Sequence, residues 1–278
     1  MKPPKGLKPF SNNAWGYVFA DFYNKIQMIQ HVNKIFPKIY SDFSNAETKN
    51  MLDKNKKELT KDEKIQLGKI SELILSLKDG KKIKKMDKND KITENVGNLI
   101  FEISNAFVLP KKTMKFIQEM SVVYLVTIFE DFLERILYSI FEKFPKNITS
   151  DKEITYKELV SITNLSDWDG LKETIIGNEI NRIIQKEGIK GWSKKLTNLK
   201  IDLTVDKKWN EFTECFARRN IIIHNGGNVN KYYSSITHIK RGDEVNLDMA
   251  YVDNAVKLFE KFGIKLMNLH TTKILKNN

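Results

Sequence analysis

The sequence predicts an all-α protein, and three observations carry that reading. Apolar residues recur at three- and four-residue spacing over most of the chain. The 278 residues include only six prolines and 13 glycines, too few for a turn-rich β fold. A hydrophobic fraction of 41% is ample for a helical core. At most a short β-hairpin is expected, over Tyr232–Lys240 and its turn at Arg241-Gly242-Asp243.

Taken in order, Ala14–Phe36 carries Val18, Phe22, Ile26, Ile29, Val32 and Ile35 at helical spacing and should end at Pro37. His31 within it reads as a surface or packing residue, since no partner stands near it. Asn45–Lys64 is polar with alternating charge, as suits a solvated helix or connector, and Ile65–Leu77 is amphipathic again. The lysine run of Asp79–Lys88 then breaks the pattern. It reads as an exposed loop, or as an arm touching phosphates with an affinity that falls with salt. It also marks the expected seam between an N-terminal helical extension, residues 1–90, and a helical domain, residues 91–278.

From Ile92 a helix should run to Phe107 and end before Pro110. The longest element, Lys112–Phe144, is ended by Pro145 and is apolar nearly all round, so it should be the central buried helix. Glu130 shares the stripe of Val123, Val126, Leu133 and Leu137, where a carboxylate requires a polar cleft or a partner. Residues 151–200 form shorter helices, and the aspartates around Trp168 read as a helix cap rather than a metal site. A final helix, capped by Asp248 and reaching Leu269, buries Val252, Val256, Phe259, Phe262 and Leu266.

The chain is organised around Arg218-Arg219-Asn220-Ile-Ile-Ile-His224-Asn225-Gly226-Gly227. Trp209, Phe212, Phe216 and Ile223 recur at helical spacing, so this run closes a helix that begins near Asp206. The two glycines read as its end, because glycine takes the left-handed cap conformation without a Cβ penalty. Asn220 and His224 are four apart and share a face. Arg219 lies about 140° round the helix from His224, so both serve one cleft only if it is wide or shared. A plain structural reading also exists: His224 offsets the negative helix end while Arg219 is solvated.

Arg219-Asn220-x-x-x-His224 resembles the motif of the HEPN superfamily (higher eukaryotes and prokaryotes nucleotide-binding), whose ribonucleases carry Arg-x4–6-His with a polar residue after the Arg. The resemblance covers residues 100–272 and takes in Phe129-Glu130-Asp131-Phe132 on the preceding helix. It implies an HEPN-like helical bundle, catalytic roles for Arg219, Asn220, His224 and Glu130, and a homodimer with the motif at its interface. Arg135 stands at the basic place after Glu130, although Glu134 replaces a Lys or Arg that the family often has. Arg218, Lys231 and Arg135 are the candidate RNA contacts. By the same resemblance the role is RNA cleavage in phage defence, a toxin–antitoxin pair or a stress response, with an antitoxin or regulatory protein as partner.

A formal charge of +12 is the footprint of a nucleic-acid binder, but only five of the 47 basic residues are arginine. Abundant Lys, Asn and Ile would also follow from an A+T-rich genome. The single Cys215 excludes an internal disulfide framework and a Cys-cluster zinc site. No apolar segment follows the basic start, and the run Val122–Phe129 is too short to span a bilayer, so no membrane role and a cytoplasmic location are expected. Phosphate-loop, dinucleotide, His-Glu-x-x-His and Gly-x-Ser-x-Gly motifs are absent, and neither cofactor nor metal is expected.

RNA carries its own nucleophile, the 2′-OH beside each phosphodiester. Cleavage without metal needs a base, an acid and cations for the phosphorane charge. Histidine suits proton transfer near neutral pH, and arginine offers a permanent charge in a planar fork. One chain supplies one such His, so a two-fold related copy is the simplest source of a second. Against this endoribonuclease reading stand a catalytically silent HEPN-like module that binds RNA or nucleotide or serves as a scaffold, and a helical adaptor with no nucleic-acid role.

Overall fold

The computed structural model describes residues 13–58, 60–65, 94–148 and 168–275. The helices are α1 (Asn13–Glu58), α2 (Glu94–Lys143), α3 (Trp168–Asn181), α4 (Gly188–Asn198), α5 (Trp209–Asn225), α6 (Lys231–Thr237) and α7 (Met249–Leu275). A π-helical turn, Arg182–Lys186, links α3 to α4. Among the described residues the only β pairing is an isolated antiparallel bridge between Asn228 and Glu244. No described helix is long and apolar enough to cross a membrane.

The chain divides into two compact units, Met1–Asn33 with Gln118–Asn278, and Lys34–Ile117. That division groups the first 33 residues with the motif, where the sequence places residues 1–90 together as an extension. In the second unit, Thr60 and Glu63 form a capping box. Glu63 Oε2 accepts from the Thr60 N–H at 2.9 Å, and Thr60 Oγ1 accepts from the Glu63 N–H at 3.3 Å. The lysine run of 79–88 and the stretches 66–77 and 151–167 lie outside the described residues.

Two expected helix ends are absent. Helix α1 continues through Pro37 to Glu58, and α2 runs unbroken through Pro110 rather than as two helices. Proline removes one backbone hydrogen bond, but its locked φ is close to the helical value, so a long helix can absorb it.

The core of the first unit forms round α2. Val122, Leu125, Val126, Phe129, Leu133 and Ile136 are all buried. Phe129 stands edge-on to Phe212 of α5 and to Phe259 of α7, at centroid distances of 5.0 Å and 5.7 Å. Phe22 of α1 stacks on Phe132 at 4.4 Å. Each such pair adds about 0.5–1.5 kcal/mol beyond burial of its area. Gly263 is needed here for close approach, because a Cβ would fall 2.1 Å from the Phe22 ring. Asn33 Nδ2 donates to Ser121 Oγ at 2.8 Å, tying α1 to α2 by a buried polar contact.

The expected hairpin is replaced by a helix. Asn230 caps α6 by accepting from the Tyr233 N–H at 2.8 Å, and His238 ends it in the left-handed conformation. Burial of Tyr233 overrides the β-propensity of this Tyr- and Ile-bearing stretch. The chain then turns at Gly242 (φ 89°), and the Val229 N–H donates to Asp243 O at 2.9 Å beside the bridge. Asp248 caps α7 as expected, its Oδ1 accepting from the Tyr251 N–H at 2.7 Å.

His270 of α7 lies buried, with Nε2 at 2.7 Å from Ser139 Oγ of α2. Burial pulls its imidazole from 6.5 down to about 4. Between those values the unfolded chain binds the extra proton, so stability is fully present above pH 6.5 and is lost as pH falls towards 4. The expected loss is about 3 kcal/mol. Urea unfolding from pH 8 to pH 4 checks it: His270→Gln should flatten this part of the stability curve, and an unchanged slope contradicts the assignment.

Candidate functional site

Helix α5 is set by three features of its own sequence. Ahead of it, Asp206 Oδ1 accepts from the Lys208 N–H at 2.9 Å and closes a turn that starts the helix. Phe212 and Phe216 point to the core and fix its rotation. Gly226 ends it in the left-handed conformation (φ 57°), and the Gly227 N–H donates to Ile221 O at 3.0 Å. The chain therefore stops being helical two residues after His224, as the sequence leads one to expect.

Glu130 meets Arg219 across the packing of α2 on α5. Arg219 Nη2 stands 3.3 Å from Glu130 Oε2, and Nη1 donates to Asn220 Oδ1 at 3.1 Å. Arg219 Nε is buried without a hydrogen-bond partner. Further along, Glu119 Oε1 lies 3.5 Å from where Gly227 would carry a Cβ. Glu130 with Arg219, then Glu119 with Gly227, is the reversed order of an antiparallel pair of helices. Burial pushes the Glu130 carboxyl above its ordinary value, and the Arg219 charge offsets only part of that.

His224 is exposed on the last turn of α5, one turn beyond Asn220. No hydrogen bond or ion pair joins it to Arg219, Asn220 or Glu130. A single chain thus brings three of the four predicted catalytic residues together and leaves the imidazole at the rim. What the arrangement offers chemically is a half-buried guanidinium with an unused donor, near an exposed acid–base group.

The three candidate RNA contacts separate. Lys231 is exposed at the first position of α6. Arg135 pairs with Asp131 at 3.3 Å and Asp21 at 3.9 Å, in a surface network that Lys25 joins, so it braces α1 against α2 instead of facing Arg219. Arg218 is corrected outright: it is buried, and its charge is spent inside the protein. Its Nε donates to Glu214 Oε1 at 2.7 Å, its Nη1 donates to Asn246 O at 3.1 Å, and its guanidinium lies 3.8 Å over the Tyr251 ring. Glu214 also accepts from the hydroxyls of Tyr233 and Tyr251, the second at 2.7 Å.

That network clamps α6, the following loop and the start of α7 onto α5. Sequence reading missed Glu214, Tyr233 and Tyr251. Only the four-residue spacing of Glu214 and Arg218 was visible in advance. Cys215 Sγ lies 3.3 Å from the Tyr251 hydroxyl, and burial pushes that thiol up to about 12, which leaves it inert. Among the described residues, no group of three or more His, Cys, Asp or Glu is placed to hold a metal ion.

No family model, curated protein or solved structure matches the chain. The HEPN resemblance rests on the motif residues themselves.

Neighbouring arginines should therefore respond differently to truncation. Arg218→Ala removes a buried guanidinium that bonds Glu214 and Asn246 O together, and should cost about 3 kcal/mol or more. Arg219→Ala, at a partly exposed pair, should cost about 1 kcal/mol. Chemical denaturation of both variants checks this, and equal losses would contradict the division of roles.

Proposed function

We propose that the protein is a metal-independent endoribonuclease acting in the cytoplasm. The observation that carries this reading is Arg219, held by Glu130 and Asn220 on a helix that ends one turn later at an exposed His224. Arg219 binds the phosphate and stabilises the extra charge of the phosphorane. His224 takes the proton from the 2′-OH or delivers one to the leaving 5′-oxygen. Asn220 keeps the guanidinium plane fixed through its Oδ1. Arg219 supplies the positive charge that a metal ion would otherwise bring.

The distance between His224 and the Arg219 cluster is answered by a second copy. Two chains related by a two-fold axis near His224 place two imidazoles and two guanidinium groups along one RNA strand. One His then serves as base and the other as acid. The HEPN resemblance supports this arrangement, and with it a role in phage defence, a toxin–antitoxin pair or a stress response, restrained by a partner protein. Lys231 remains as an exposed cation for the flanking backbone.

RNA cleavage by the purified protein tests the proposal. Activity should persist in EDTA. His224→Ala should lower it by about 10²–10⁴-fold, Arg219→Ala comparably, and Asn220→Ala by less. Sedimentation should show a dimer. Full activity in His224→Ala, or in a strictly monomeric protein, sinks the reading, and no cleavage by the wild type leaves a silent binding module.

A further inference from the structure

We propose that Glu130 is an internal stand-in for the substrate phosphate, one that must leave Arg219 before an oxyanion can bind; the inference rests on the proposed phosphate role of Arg219. The geometry of the guanidinium carries it. Nη1 is used by Asn220 at 3.1 Å. The remaining edge, Nε with Nη2, is the side-on fork that takes two oxygens of one carboxylate or phosphate. Glu130 uses only one tine, through a single 3.3 Å contact to Nη2. That is longer than the roughly 2.7–2.9 Å of a strong charged hydrogen bond. The other tine, Nε, is buried and has no partner.

An unpaired buried donor costs about 1–3 kcal/mol, more when it is charged. The Glu130 pair is thus an incomplete one on both sides: Arg219 retains an unmet N–H, and Glu130 holds its charge in a site where only 18% of its side chain is exposed. A phosphodiester presents two non-bridging oxygens and fills both tines. Glu130 and the phosphate are both anions and compete for one fork, so they cannot share it without repulsion. Glu130 therefore keeps the arginine extended and oriented between turnovers, while it weakens the binding of every anion that fails to make both bonds. Oxyanions with one accessible oxygen, and simple halides, are discriminated against; RNA backbone is accepted.

The test uses the full chain and a short 2′-O-methyl oligoribonucleotide, which has the phosphates but no nucleophile, followed by fluorescence anisotropy. Glu130→Gln removes the competing charge at nearly constant shape and should bind about tenfold tighter than wild type. Arg219→Gln should bind more weakly, and the double variant should bind like Arg219→Gln alone. If Glu130→Gln binds no tighter while Arg219→Gln still weakens binding, the stand-in is overturned and the phosphate role of Arg219 survives. If Arg219→Gln binds like wild type, the phosphate role itself fails and the stand-in with it. A second measurement needs no Glu130 variant. The chain has five arginines, so the Nε–H resonance of Arg219 can be assigned in wild-type protein by its loss in Arg219→Gln. Titration with inorganic phosphate should shift it as Nε gains a partner, and a resonance that does not move overturns the proposal.

Discussion

Phe129 is fully buried, edge-on to Phe212 and Phe216 of α5, and this contact sets where the next residue, Glu130, meets Arg219. An aromatic cluster packed at interior density does not slide by fractions of a turn, since each shift opens a void or forces an overlap. The register of α2 against α5 is therefore fixed by apolar packing. The polar pair at its edge inherits that register at no further conformational cost. Phe259 of α7 and Trp192 of α4 close the same cluster, so four helices take part in holding one carboxylate beside one guanidinium.

Arg218 and Arg219 show how one helical step of about 100° separates structural from exposed duty. Arg218 turns towards α6 and α7, where Glu214 receives it together with two tyrosine hydroxyls. Every donor group there that binds Glu214 also fastens a different segment to α5. Arg219 turns towards α2, where Glu130 meets it through one oxygen and leaves Nε unused. A saturated buried network rigidifies, whereas an unsaturated one at the edge of the core retains a capacity for binding. The clamp on Arg218 also steadies α6, which carries Lys231 at its first position.

Much of this was legible in the sequence, for reasons that are local. The end of α5 follows from two glycines, the cap of α7 from Asp248, and the centrality of α2 from its all-round apolar surface. Glu130 could be singled out because a carboxylate on the stripe of Val126 and Leu133 is costly without a partner. What stayed hidden depends on distant contacts or on tolerance. Pro37 and Pro110 pass through helices because a long helix survives one lost hydrogen bond. The stretch Lys231–Thr237 is helical because Asn230 caps it and Tyr233 finds Glu214, a partner 19 residues away. Which of two adjacent arginines faces inward was likewise decided by Tyr233, Tyr251 and Asn246, and no spacing rule reaches that far.

The proposed chemistry has one direct signature, the ends of the RNA fragments. Attack by the 2′-OH is internal to the substrate and breaks the P–O5′ bond, so the phosphate stays on the 3′ end of the upstream fragment whichever residues move the protons. Mass spectrometry of RNA incubated with the pure protein should show 2′,3′-cyclic phosphate on one fragment and a free 5′-hydroxyl on the other. Fragments bearing 5′-phosphates would contradict the account, since they require an external water activated by groups that the Arg219–His224 arrangement does not supply.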